Sequence, residues 1–224
     1  MGQTWEHLLF AHWSVEPEAM ATVVPPEFQL DLWDGRAWLG VAPFLLTGLR
    51  PRLLPAAPAL SRFLETNVRT YVRRNGRPGV YFFSLDATSR LAVHGARLLY
   101  RLPYHRARGS IEITRGSVRY SLCRGEGGRS VRLQASYRGL EEPSETAPGS
   151  LDRFLVERYC LFARPSAGRV LRAEIHHAPW RISAAEGWID QEGLIPAPLE
   201  PLQVAPLLHL AARQDTLVWA PVKA

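Results

Sequence analysis

Residues 63–87 read FLETNVRTYVRRNGRPGVYFFSLDA, two alternating runs joined at Asn75-Gly76. Asn-Gly between such runs is a strong signal for an antiparallel hairpin. In the first run Leu64, Thr66, Val68, Thr70 and Val72 share one face, and Glu65, Asn67, Arg69 and Tyr71 share the other. Same-face side chains on a strand stand about 7 Å apart, so the second face is a row of polar groups on a rigid element. A tight turn at Asn75-Gly76 pairs Thr70 with Tyr81, Val68 with Phe83 and Thr66 with Leu85, a core face. The same register pairs Arg69 with Phe82, Asn67 with Ser84 and Glu65 with Asp86. Two carboxylates opposed in this way repel unless a cation bridges them or one keeps its proton. Phe82 and Tyr71 beside these charges suit the wall of a partly buried pocket.

Working outward, Thr4 to Val15 reads as a strand, and Pro17 opens a short helix that Val24-Pro25-Pro26 ends. Asp34-Gly35 predicts a hairpin between Phe28–Trp33 and Arg36–Leu45. Arg50 to Ser61, with three prolines, reads as a loop. Thr88 to Tyr100 is predicted helical on Leu91, Ala92, Ala96, Leu98 and Leu99. Ile111–Thr114, Ser117–Arg124 and Arg129–Arg138 form a meander. Its Val118, Tyr120, Leu122, Val131, Leu133 and Ala135 point inward, and Arg119, Arg132 and Arg138 outward. Ser150 caps a short helix carrying Leu151, Phe154, Leu155 and Arg158. Arg169 to Ala178 is a strand with Leu171, Ala173 and Ile175 on its apolar face. The proline-rich segment 196–206 leads to a last strand pair near 207–220. Antiparallel strands with a few short helices give the α+β class, mainly antiparallel β, with a barrel or curled sheet and a single domain over 1–224.

Composition narrows the chemistry. Of 27 basic residues 26 are arginine, and Lys223 is the exception. Arginine stays protonated and cannot form a Schiff base, and a Walker A loop needs a lysine. The net charge of +6 fits nucleic acid, but acids are interleaved and no stacking motif is visible, so no nucleic-acid partner is expected. No apolar run approaches the roughly 20 residues of a membrane helix, and no leader pattern opens the chain. The expectation is a cytoplasmic chain with no membrane partner. Cys123 and Cys160 give neither a disulfide framework nor metal-ligand spacing. Neighbouring His176 and His177 fall on opposite faces of a strand and cannot chelate one ion simply. No metal or other cofactor is expected, and exposed strand edges are compatible with a homodimer.

The blocks LLFAHW, FLETNVRTYV, GVYFFSLDA, ARLLYRLPY, GSLDRFLVERYCLF and IHHAPW, spread from residue 8 to residue 180, resemble the YqjF-like family of bacterial proteins. That family is itself similar to acetoacetate decarboxylase, and the resemblance implies a cone-shaped antiparallel β-barrel. In the decarboxylase an arginine is followed six residues later by Pro-Lys-Lys, whose first lysine forms the Schiff base. Here Arg97 and Pro103 keep that frame, but Tyr104 and His105 stand at the two lysine positions. The resemblance thus implies the pocket's location and not its imine chemistry, which needs an amine nucleophile. Glu65, Tyr104 and His105 are the candidates for acid–base catalysis. Asn67, Arg69, Tyr71, Phe82, Asp86, Arg97, His177 and Trp180 are the candidates for holding a small anionic or carbonyl-containing ligand, with His12 and Trp13 nearby. A ligand-binding or sensing module that lost the reactive lysine is the alternative.

Overall fold

The computed structural model describes residues 1–51, 61–126, 129–200, 202 and 204–224. The predicted 50–61 loop therefore falls mostly outside the described residues, as does the Gly127-Gly128 turn. Strand β1 (Gly2–Val15) leads through α1 (Pro17–Ala21) and β2 (Gln29–Leu30) to β3 (Ala37–Arg50). The opening hairpin is β4 (Phe63–Arg74) and β5 (Arg77–Ala87), followed by α2 (Arg90–Leu99) and β6 (Tyr104–Arg106). The meander is β7 (Arg108–Thr114), β8 (Ser117–Glu126) and β9 (Arg129–Gly139). Then come β10 (Ser144–Glu145), α3 (Leu151–Val156), β11 (Cys160–Ser166), β12 (Arg169–His177) and β13 (Arg181–Glu192). A 3-10 turn at Ala197–Leu199 precedes β14 (Leu207–Val218) and β15 (Val222–Lys223).

Strands β12, β11, β5, β4, β3, β1 and β14 lie side by side in that order, and β14 pairs back onto β12 through Ile175↔Val218. The wall therefore closes into a ring. Most pairings are antiparallel, the exceptions being β11 and β6 beside β5. Strand β1 seals the ring by pairing along its length with β14, from Gly2↔Leu217 to His12↔Leu207. From β14 the sheet continues through β13 to β9, β8 and β7, a flap covering the outside of the wall.

Two cores result. Leu8, Phe10, Phe44, Phe82, Leu161 and Ile175 pack on one side of the wall. Leu9, Ala11, Leu39, Val41, Val68, Tyr120 and Leu133 pack on the other, under the flap. Successive residues of β1 alternate between the cores, as a period of two demands. Residues 63–72 are buried at every position for the same reason.

The Asn75-Gly76 turn forms with both residues at positive φ, 50° and 75°, the two-residue geometry whose twist suits a hairpin. The predicted register holds from Arg74↔Arg77 to Arg69↔Phe82. A β-bulge then leaves Phe83 as the extra residue, and the pairs become Val68↔Ser84, Asn67↔Leu85, Thr66↔Asp86 and Glu65↔Ala87. The expected Glu65–Asp86 pair is thereby corrected. A one-residue slip moves a side chain to the opposite face, and it takes Asp86 to the flap side. There it is fully buried and ion-paired with Arg124 at 2.8 Å.

Other elements depart from expectation in instructive ways. Asp34-Gly35 makes its tight turn, closed by the Trp33↔Arg36 bridge, but the segment before it does not form a hairpin arm with β3. Instead β2 pairs with β4, and the Asp31 N–H donates to the Tyr71 carbonyl while its carboxylate binds Arg73 and Arg158. Helix α2 is capped by Ser89, yet its leucines face solvent and Val93 is its buried residue. Ser150 caps α3, which ends before Arg158. The last segment is one long strand, β14, with the two-residue β15 rather than a strand pair of its own. Strands β11 and β13 have no counterpart in the sequence reading.

Candidate functional site

The polar row of β4 faces the inside of the ring. Glu65, Asn67 and Arg69 line a cavity together with Phe82 of β5, Tyr104 of β6, His177 of β12 and Trp180. Apolar groups from nearly every strand of the ring complete it, among them Leu8, Phe44, Val80, Leu161, Ile175 and Val218. Helix α2 and its extension contribute Ala96, Tyr100 and Leu102. The cavity holds about 80 Å³. One water molecule needs roughly 10–15 Å³ of such space, so the cavity suits a ligand of about six heavy atoms.

At one end the Tyr104 hydroxyl donates to both carboxylate oxygens of Glu65, at 3.1 and 3.2 Å. Burial pushes the Glu65 carboxyl up to about 8; the Tyr104 hydrogen bond opposes that rise and the charge of Asp86 adds to it. Glu65 is therefore mostly protonated at neutral pH. Burial and the adjacent Glu65 hold the Tyr104 phenol well above its ordinary range. The backbone of Tyr104 is fixed by Arg97, whose Nε donates to its carbonyl at 2.6 Å.

The other end is cationic. Arg69 is buried, its guanidinium lies 5.1 Å from the Phe10 ring centre and 5.9 Å from that of Tyr71, and it reaches the Leu155 carbonyl at 3.5 Å. Among the described residues no carboxylate pairs with it, and its Nε has no partner. Arg158 comes over the Tyr71 ring at 4.9 Å, but it is matched by Asp31 at 2.6 Å. Its Nη2 and the Asn67 Oδ1 are also buried without partners. Behind this end the Tyr71 hydroxyl donates to the Leu155 carbonyl and meets His12 Nε2, both at 2.7 Å. Burial, followed by the charges of Arg69 and His209, pulls His12 well below the usual imidazole range. A buried positive charge without a partner, set in apolar surroundings, favours an anion.

The structure thus brings together Glu65, Asn67, Arg69, Phe82, Tyr104, His177 and Trp180. It leaves the other candidates outside the lining. Tyr71 and His12 support Arg69 from behind, Arg97 holds the Tyr104 backbone, and Asp86 is on the flap side of the wall. His105, next to Tyr104 on β6, is also outside the lining, and Trp13 belongs to the flap-side core. Sequence reasoning missed Gln3, Trp5 and Arg158. Trp5 and Trp180 stack at 5.8 Å across the ring closure, a juxtaposition no local pattern announces. Among the described residues no cluster of His, Cys, Asp and Glu could hold a metal ion.

Comparison with known proteins gives the site a family setting. The model of DUF2071, described as an uncharacterized conserved protein, matches residues 2–215. The chain is 40% identical over 220 residues to uncharacterized protein YqjF of Bacillus subtilis (strain 168), covering 98% of this chain and 90% of that protein. Among solved structures, an acetoacetate decarboxylase-like enzyme from Sphingomonas wittichii RW1 superposes with TM-score 0.71 at 12% identity, covering 100% of this chain and 92% of that one. The enduracididine biosynthesis enzyme MppR, complexed with pyruvate, gives TM-score 0.68 at 14% identity over 99% and 89%. At such identities the likeness is one of fold, and it agrees with the acetoacetate decarboxylase-like architecture expected from sequence.

Proposed function

This chain belongs to the DUF2071 family, and from that premise we propose that its cavity binds a small carboxylate bearing a carbonyl or hydroxyl group. The observation that carries this reading is Arg69, a buried guanidinium with no carboxylate partner among the described residues, sharing an apolar cavity with a largely protonated Glu65. Arg69 takes the ligand's carboxylate, and the Asn67 amide lies between it and Glu65 on the same strand face. Glu65 presents its proton to the carbonyl or hydroxyl oxygen, held in place by Tyr104. A carboxyl group with a pKa near 8 can pass a proton in either direction close to neutrality, which suits general acid–base chemistry next to a carbonyl. Imine chemistry is not part of this reading. Tyr104 occupies the lysine position implied by the resemblance, and Lys223 is exposed on β15. That pyruvate is bound to MppR supports testing 2-oxo acids first.

The test pairs binding with turnover. Ligand at about ten times its Kd contributes roughly 1.4 kcal/mol, a rise in Tm of about 3–5 °C for a chain of this size. Pyruvate or acetoacetate is expected to give such a shift, acetone to give none, and Arg69→Met to abolish it. An equal response to acetone, or a full response in Arg69→Met, would overturn the assignment of Arg69. Catalysis is read as deuterium uptake at the carbon next to the carbonyl, expected in the parent and lost in Glu65→Gln. Binding without uptake would favour the sensing module, the reading suggested by Tyr104 and His105 at the two lysine positions.

A further inference from the structure

Helix α2 covers the cavity on its inner side, and among the described residues its outer side is exposed. Leu91, Leu98 and Leu99 are 60, 67 and 63% exposed, the three most exposed large apolar side chains among the described residues. Leu91 and Leu98 are two helical turns apart and share a face. That face lies opposite Val93 and Ala96, which pack inward. Beside the leucine row runs a row of arginines with the same spacing, Arg90 and Arg97, both exposed. Exposed Arg101, Arg106 and Arg108 extend the charge beyond the helix end.

Along this stretch of chain the charge has one sign. No Asp or Glu occurs from Ala87 to Ile111. Strands β5 and β6, against which α2 packs, carry Asp86 as their one acid, and it is fully buried. Leucines facing out and arginines alongside, able to lift their charged heads while their stems lie on apolar surface, form the pattern of a helix lying in a lipid–water interface. A second copy on the same face would meet the same arginines with no acid to match them. An anionic bilayer offers the complementary charge and an apolar layer beneath it.

We propose that α2 is a peripheral docking surface for an anionic lipid bilayer, with Leu91, Leu98 and Leu99 entering the interface and the arginines contacting lipid phosphates. Contact of this kind differs from spanning: among the described residues no helix is long and apolar enough to cross a membrane. It revises the sequence-based expectation of no membrane partner, and it stands independently of the ligand in the cavity.

The experiment is co-sedimentation of the full chain with vesicles of phosphatidylcholine alone and of phosphatidylcholine containing phosphatidylglycerol. Binding to the anionic vesicles is expected to exceed binding to the neutral ones at least tenfold and to weaken with added salt. Leu91→Ser/Leu98→Ser is expected to reduce it about tenfold, and Arg90→Ser to reduce it less. Thermal melting of each variant checks that it is folded. Three outcomes would overturn the proposal. The chain does not bind anionic vesicles, the folded leucine variant binds as well as the parent, or sedimentation shows a dimer that the leucine substitutions split. The last would assign the face to a second copy.

Discussion

Glu65 holds its proton because the carboxyl is buried among apolar groups and Asp86 lies nearby in the same wall. Its raised pKa has a consequence for stability as well as for chemistry. Below about pH 4.5 both the folded and the unfolded chain carry the protonated acid, and it imposes no penalty. As pH rises from there to about 8, the unfolded chain releases this proton and the folded chain retains it, so stability falls across that window and then levels. Glu65→Gln cannot release a proton. Its stability relative to the parent is therefore expected to rise from pH 5 to pH 8 by a few kcal/mol, read from urea midpoints at pH 5, 7 and 9. A difference independent of pH would show that Glu65 ionises normally. At this scale the sequence disclosed the polar row, since alternation alone puts Glu65, Asn67 and Arg69 on one face. It did not disclose Arg158, Gln3 or Trp5, which reach the cavity from distant segments by tertiary packing.

Among the elements, the hairpin was the most legible, because Asn-Gly and a period of two are local signals. Strands β11 and β13 were not legible. Strand β11 is short and carries Pro165, and β13 mixes Glu186, Gly187, Asp190 and Gln191 among few apolar residues because much of it is exposed. Helix α2 was legible as a helix, but which way its apolar positions face was not, and the structure turns its leucines outward. One contact between elements is sharply testable. A Cβ on Gly79 would sit 2.7 Å from the Cys160 carbonyl and from the Phe162 ring, where β11 runs parallel to β5. Backbone on one side and a packed ring on the other leave little room to yield. Gly79→Ala is expected to lower stability by about 1–3 kcal/mol, measured by denaturant unfolding. An unchanged midpoint would mean that the β5–β11 seam can yield to the extra methyl group. The outer face of the meander disposes of its charges pairwise, with Arg119 across from Glu112, Arg132 across from Glu192 and Arg138 bound to Glu186. That balance suits a solvated face better than a nucleic-acid surface.

For the whole molecule, the closing seam is formed by β14. It pairs with β1 on one side, β12 on the other, and carries the flap through β13. An antiparallel wall that stops at Pro206 would expose the edges of β1 and β12 and open the cavity. Truncation before Leu207 is expected to yield insoluble or unfolded protein, assessed by yield and far-ultraviolet circular dichroism. A soluble truncated chain with native strand signal would show that the ring does not need this closure. The antiparallel class and the barrel were readable from the alternating runs and from the resemblance. The closure was not, because it joins residues more than 200 apart, Gly2 and Leu217, and no short-range pattern encodes such a pairing.

The bulge at Phe83 links these scales. Had β5 continued in register, Asp86 would have stood on the cavity face opposite Glu65, within the field of Arg69. One extra residue of backbone instead assigns one carboxylate to each side of the wall, Glu65 to the cavity and Asp86 to Arg124 beneath the flap. An insertion in a strand thus sets the polarity of an enclosed space: one acid that keeps its proton and an arginine with no carboxylate partner among the described residues make the interior electropositive, and the proposed preference for an anion rests on that polarity.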